Sequence, residues 1–159
     1  MTEMWQGKII AIYLASTAGA PMESQAQAPA ITGKGLQGDR YCENRGTYSG
    51  NPGSGRAVTL IESEALEALE RDYAIDLDAA LARRNLVTCG VALNHLVERN
   101  FRIDQVILRG THLCDPCARL EKLSCPGTLR GLIHRGGLRA EIITGGMIRV
   151  GAAISPMDD

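Results

Sequence analysis

The chain has 159 residues, 45% of them apolar and 22% charged. That length and balance fit one globular domain, 1–159 with a core at about 8–154, large enough to fold without a disulfide or a structural metal. Lys and Arg number 17 against 18 Asp and Glu, a formal charge of −1, and there is one Phe and one Trp; no global positive field would hold a nucleic acid, and few rings are present to stack bases.

Residues 8–16 (KIIAIYLAS) are β-branched and apolar and read as a first buried strand. Residues 17–30, rich in Ala, Pro and Gln and without period, read as a surface loop. The glycines of GKGLQGDRY (33–41) imply unusual backbone angles or a close approach of the chain. Residues 44–55 (NRGTYSGNPGSG) are loop by composition and a candidate mobile flap. A strand at 57–61 (AVTLI) runs into a short amphipathic helix ending at Tyr73, with apolar residues at 65, 66, 68 and 69. Asp76 is placed to cap a second short helix that ends at Arg83. Residues 86–91 read as a strand, and 101–108 (FRIDQVIL) as a hairpin about Asp104 and Gln105. Residues 140–150 give two alternating runs around Gly145 and Gly146, a hairpin pattern because glycine accepts positive φ. Strands outnumber the short helices, so an open or closed barrel fits better than a doubly wound sheet.

The five cysteines are Cys42, Cys89, Cys114, Cys117 and Cys125. Their odd number, an N-terminal stretch without the order of a secretory signal, and a longest apolar run (9–15) too short to span a bilayer point to free thiols in a reducing, cytoplasmic setting. In LCDPCARLEKL (113–123), Asp115 is a good N-cap and Pro116 a good first helical residue. Cys117 would then be the second residue of a helix, beside unpaired N–H groups and the positive end of the dipole, with Arg119 and Lys122 nearby. Those features favour thiolate, the form that attacks, carries sulfur or binds metal, and rank Cys117 first among the five. Against this stands the common fate of a free cysteine as a small buried hydrophobe. Cys114 and Cys117 also form a C-x-x-C pair, but a thioredoxin-like dithiol needs a βαβ context that the upstream hairpin does not supply. Zinc held by Cys114, Cys117 and Cys125 with His112 or His134 would lack paired ligand spacing. Cys42 and Cys89 read as packing residues.

Taken in order, GKGLQGDRY, RAVTLIESEALEAL, ARRNLVTCGVALNHLV, FRIDQVILRGTHLCDPCARLE and HRGGLRAEIITGGMIRVGA resemble the MOSC domain. That is the C-terminal domain of molybdenum cofactor sulfurases. The resemblance runs from Lys8 to Ile154 and is strongest to short stand-alone bacterial members with an LC-x-PC-x-x-LE segment. It implies a mainly β fold with short α-helices, a barrel like the β-barrel domain of pyruvate kinase. It implies one functional cysteine, which maps onto Cys117. It also implies the molybdenum cofactor (molybdopterin), with Cys117 as the metal ligand in relatives that reduce N-hydroxylated substrates. In the sulfurases the domain stands beside a pyridoxal-phosphate desulfurase domain. No haem or nucleotide cofactor is expected. A redox donor or a cysteine desulfurase would come as a separate protein, and neither nucleic acid nor membrane is an expected partner.

The cofactor is anionic, so its site needs a soft thiolate for the metal and cationic forks for the phosphate. The family's R-x-N element falls on Arg83 and Asn85, with Arg84 between them; by residue type alone, Arg83 and Arg84 read more plainly as a charge pair at a helix C-terminus. The family's G-D-R element falls on Gly38, Asp39 and Arg40, where Asp39 orients Arg40 or merely occupies a glycine turn. Arg119 adds charge. His134, in a segment shared with the short relatives, is a candidate proton donor in the pocket, though a structural histidine is the commoner outcome. The resulting expectation leans toward an enzyme that binds the molybdenum cofactor and reduces N-hydroxylated substrates. A persulfide sulfur carrier and a non-catalytic binding module are the alternatives.

Overall fold

The structure, a computed structural model, describes residues 3–50 and 55–157. Its strands are β1 (Gly7–Leu14), β2 (Glu23–Gln25), β3 (Gln27–Ile31), β4 (Gly35–Leu36), β5 (Val58–Glu62), β6 (Leu86–Cys89), β7 (Asn100–Ile103), β8 (Val106–Leu113), β9 (Leu138–Thr144), β10 (Gly146–Arg149) and β11 (Ala153–Pro156). The helices are α1 (Ser63–Tyr73), α2 (Ala118–Leu123) and α3 (Thr128–Gly131), with single 3-10 turns at Ala79–Ala82 and Leu93–Leu96.

The main sheet runs β11-β7-β8-β9-β5-β6-β1, and β1 pairs back onto β11 through Gly7 with Ile154 and Lys8 with Ala153. Seven strands thus close into a barrel, which removes the exposed edges that an open sheet would leave. β2 extends β1 beyond the closure, and β10, β3 and β4 form a small second sheet. Ile9 and Ile12 both point inward at odd spacing because the β1–β6 register shifts between Ile9 and Ala11. β5 and β6 pair in parallel and are joined through α1.

Alternation along β5 and β6 divides the interior in two. Leu60 and Leu86 face the barrel core with Phe101, Leu108 and Leu138, whereas Ile61 and Val87 face outward into a second layer with Leu69, Leu120 and Leu132. The helices therefore cover the outer face of these two strands, which is why both strands are apolar on both sides. Leu120 lies in α2, so this outer layer also fixes the helix whose N-cap is Cys117.

Three sequence expectations are corrected. The loop expected at 17–30 contains β2, a three-residue strand with no buried residue that turns back onto β1, and most of β3, whose partner β10 is remote in sequence; only Ala28 and Ala30 of β3 are buried, too small to mark a strand locally. The second helix is the 3-10 turn Ala79–Ala82, and its cap is Asp78, which accepts from the Ala80 N–H, rather than Asp76. Gly145 and Gly146 do not close a hairpin: β9 pairs with β5 and β8, whereas β10 leaves for β3. The expected hairpin about Asp104 forms between β7 and β8. Of the expected flap, residues 51–54 lie outside the described residues.

Candidate functional site

Four segments meet at one side of the barrel: the turn after β4, the loop at 45–50, the junction of the 3-10 turn Ala79–Ala82 with β6, and the segment between β8 and α2. Their meeting depends on close backbone approaches. A Cβ at Gly137, which has φ 115, would overlap the carbonyl oxygen of Leu60, and one at Gly136 would collide with the Cys114 carbonyl and Pro116.

The inner wall is a network of buried polar groups. Asp39 is fully buried and accepts hydrogen bonds from the Ala15 N–H at 3.1 Å, the Tyr41 N–H at 3.2 Å and Arg40 Nη1 at 3.0 Å. Arg40 also reaches Met22 Sδ and the Arg83 carbonyl, both at 3.5 Å. Arg84 donates from Nε to the Gly136 carbonyl at 2.8 Å, from Nη2 to the Cys114 carbonyl at 3.1 Å and from Nη1 to the Ala82 carbonyl at 3.4 Å. Asn85, fully buried, accepts from Thr59 N–H and Oγ1 and donates to the Tyr13 carbonyl, tying the start of β6 to β5 and β1. Arg83, in the left-handed region at φ 58, donates from Nη1 to the Ala20 carbonyl at 2.8 Å. Burial, followed by the guanidiniums of Arg40 and Arg119, lowers the pKa of Arg83 from its ordinary value.

Cys117 sits half-buried at the start of α2. It is the N-cap, extended at φ −140 and ψ 170, so the helix begins at Ala118. Asp115 does not cap it and is exposed; Pro116 and Cys117 stay outside the helix, which starts two residues later than the sequence suggests. No side-chain hydrogen bond closes over the first turn, yet the N–H groups of Arg119 and Leu120 lie near enough to act on the sulfur. The Tyr48 hydroxyl is 3.8 Å from Cys117 Sγ, and the Arg56 guanidinium lies 4.2 Å from the centroid of the Tyr48 ring. Burial pushes the Cys117 thiol up, but the Leu120 N–H, the Tyr48 hydroxyl, the Arg119 N–H and the charge of Arg84 outweigh it and hold the thiol below its ordinary range. The same contact, chiefly its hydrogen bond to Cys117, raises Tyr48, so this phenol keeps its proton.

The cleft has two lobes joined at Cys117. The first is small and open, about 60 Å³, and adds Thr47, Arg119, Leu120 and Leu123 to the shared wall of Arg40, Tyr41, Tyr48, Arg83 and Arg84. The second is larger, about 200 Å³, and adds Arg56, Thr59, Asp115 and Arg139 together with Cys114 and Pro116. Arg40, Arg83, Arg84, Arg119 and Cys117 are therefore brought together as expected from the sequence. Asp39 and Asn85 stand behind the wall and bond to protein groups instead of facing the cleft.

His134 lines neither lobe. It is exposed, in the left-handed region at φ 66, and its carbonyl accepts from Asn94 Nδ2, so the chain turns it away from the sulfur. Tyr41, Tyr48, Arg56, Thr59 and Arg139 line the cleft without having been singled out in the sequence. The one available signal was an aromatic ring at Tyr48 inside an otherwise small, polar loop. All five cysteines are free, and among the described residues no three His, Cys, Asp or Glu side chains gather as a metal site of their own. Among the described residues no helix is long and apolar enough to cross a membrane.

A model of the MOSC domain matches residues 47–155, more than half of the chain. The chain belongs to the MOSC domain family. The matched span includes Tyr48, the Arg83–Asn85 element and Cys117, and begins after Asp39 and Arg40. No curated protein matches the chain in sequence comparison. Among solved structures, the YuaD protein from Bacillus subtilis superposes with a TM-score of 0.78 at 14% identity, covering 95% of this chain and 97% of that one. YiiM from Geobacillus stearothermophilus gives 0.70 at 14% identity, covering 96% and 75%, and YiiM from Escherichia coli gives 0.63 at 16%, covering 99% and 71%. At those identities the likeness concerns the MOSC fold, and it extends over the N-terminal segment that the family model leaves unmatched.

Proposed function

We propose that this MOSC domain holds the molybdenum cofactor with Cys117 as the protein's ligand to the metal, and that the site reduces N-hydroxylated substrates using electrons from a separate redox protein. The observation that carries this reading is a thiol biased toward thiolate at the junction of two lobes lined by arginines. The residues fit the group: a thiolate suits a thiophilic metal, and guanidinium forks suit a phosphate-bearing anion. When bound, the cofactor supplies electron transfer at a metal centre.

The chain's own groups divide the remaining work. Arg40 and Arg84, locked by protein acceptors, supply a fixed positive field. Arg56, Arg83 and Arg119 line the cleft and receive the anion. Tyr48 keeps its proton on Oη beside the sulfur, where a phenol can donate to an oxygen leaving a substrate as water.

The test is elemental analysis of protein made in a host that produces the cofactor. Wild type is expected to retain molybdenum and Cys117→Ser to lose it; wild type devoid of molybdenum under those conditions overturns the reading. Sulfur carriage on a Cys117 persulfide draws on the same thiolate, which reaches the cleft while remaining half-buried. Incubation with a cysteine desulfurase, followed by mass spectrometry, would then add one sulfur in wild type and none in Cys117→Ser.

A further inference from the structure

α2 is too short to hold its own direction. A six-residue helix is not stable by itself and takes its orientation from what it packs on. Its one buried residue is Leu120. Glu121 supplies a second hold: its Oε1 accepts the Gly127 N–H at 2.9 Å and the Leu129 N–H at 3.2 Å. Both groups belong to the start of α3, where the N-cap is Gly127, at φ 95, with no side chain to close the first turn. Glu121 therefore caps α3 from outside. α3 in turn is firmly seated. Thr128, Gly131 and Leu132 are buried, and a Cβ at Gly131 would overlap the Leu69 side chain of α1.

The same residue also holds the sulfur's end of α2, because the Glu121 N–H donates to the Cys117 carbonyl at 3.1 Å. Cys117 has few other holds. Its side chain caps nothing, and the only side-chain group within hydrogen-bonding reach of Sγ among the described residues is the Tyr48 hydroxyl at 3.8 Å. A tilt of α2 about Leu120 would carry the sulfur along the cleft wall, and the Glu121 carboxylate opposes that tilt. We infer that Glu121 is a positioning residue for Cys117: by bonding to the start of α3 it fixes α2 against α3 and α1, and so sets where the sulfur stands in the cleft. Glu121 lines neither lobe, so it acts only through the helix. Both of its side-chain bonds fall on Oε1, so the amide oxygen of Gln can replace them and Ala cannot. The inference rests on the reading of Cys117 as the reacting centre, but it does not require a bound metal.

Thiol–disulfide exchange tests it, with the whole chain made without cofactor, a neutral aromatic disulfide as the probe, and Cys117 labelling followed by peptide mass spectrometry. At a pH where the thiol is fully ionised in every variant, the rate reads the access and placement of Cys117. Glu121→Ala should exchange severalfold faster, because the sulfur leaves its half-buried place, and Glu121→Gln should stay near wild type. Glu121→Asp, shorter by a methylene, should fall between them and serves where the alanine variant does not fold. Glu64→Ala removes a different carboxylate tether, the one that accepts the Gly90 N–H outside both lobes, and should leave the rate unchanged. In a host that makes the cofactor, Glu121→Ala should retain about tenfold less molybdenum than wild type after dialysis, and Glu121→Gln most of it. A wild-type exchange rate in both Glu121→Ala and Glu121→Asp, or equal acceleration in Glu121→Gln or Glu64→Ala, overturns the inference. Wild type devoid of molybdenum overturns the cofactor reading alone, and the order of exchange rates still decides the role of Glu121.

Discussion

The inner and outer walls of the cleft carry the same residue types on different terms. On the inner wall, Asp39, Arg40, Arg84 and Asn85 are all buried, and their side chains bond to protein partners. On the outer wall, Tyr48 and Arg56 come from a loop, and Arg119 comes from the first turn of a six-residue helix; they hold one another loosely or not at all. An arginine already spent on carbonyls cannot give up its bonds to a ligand without leaving buried acceptors unpaired. The inner cations therefore set the field, and the outer ones remain available to bind. Counting six arginines in the cleft would miss this division.

The inner wall should break hardest. Asp39→Ala leaves Arg40 with no carboxylate and two N–H groups without their acceptor, and should cost about 3–5 kcal/mol in a denaturant titration. Arg84→Ala strands the buried carbonyls of Gly136 and Cys114 and should cost about 2–4 kcal/mol. Arg84→Lys can reach only one of those carbonyls well and should recover a part of the loss. Either alanine variant within about 0.5 kcal/mol of wild type would mean that this wall is not structural.

Some of this was legible in the sequence and some was not, for physical reasons. β1, β5 and the β7–β8 hairpin declared themselves because β-branched residues pair locally or face a core. β3 did not, because its buried residues are Ala28 and Ala30 and its partner β10 lies more than a hundred residues away. Gly145 and Gly146 looked like a hairpin because turn chemistry is local, whereas the choice of partner is made by the whole barrel. Residue type and spacing placed Cys117 correctly at a helix start but put Asp115 in the cap that Cys117 occupies. The resemblance pointed to the Arg83–Asn85 element, of which Arg83 and Arg84 line the cleft, yet nothing local says that Asn85 turns inward to Thr59 and Tyr13. His134 drew notice as a histidine among arginines, and its left-handed backbone carries it out of the cleft. Tyr48 escaped notice because its loop has no period from which to infer a facing partner.

The outer wall should respond in ionisation rather than stability. The Cys117 thiol is held low, so native protein should react with iodoacetamide at a half-maximal pH below that of a free thiol, and before the other four cysteines. A thiol that ionises more readily folded than unfolded adds stability that is complete above the unfolded thiol range and is lost as pH falls through the folded value. Tyr48→Phe removes one of the groups that favour the thiolate, so the alkylation profile should move to higher pH while the denaturation midpoint stays within about 0.5 kcal/mol of wild type. Arg56→Ala should move the profile the same way by less, because it acts on the sulfur only by holding the Tyr48 ring, a contact worth about 0.5–1 kcal/mol at such a site. If Tyr48→Phe left the profile in place while Arg84→Lys shifted it, the thiolate would owe its stability to the inner wall alone, and the outer wall would serve ligands without touching the chemistry of the sulfur.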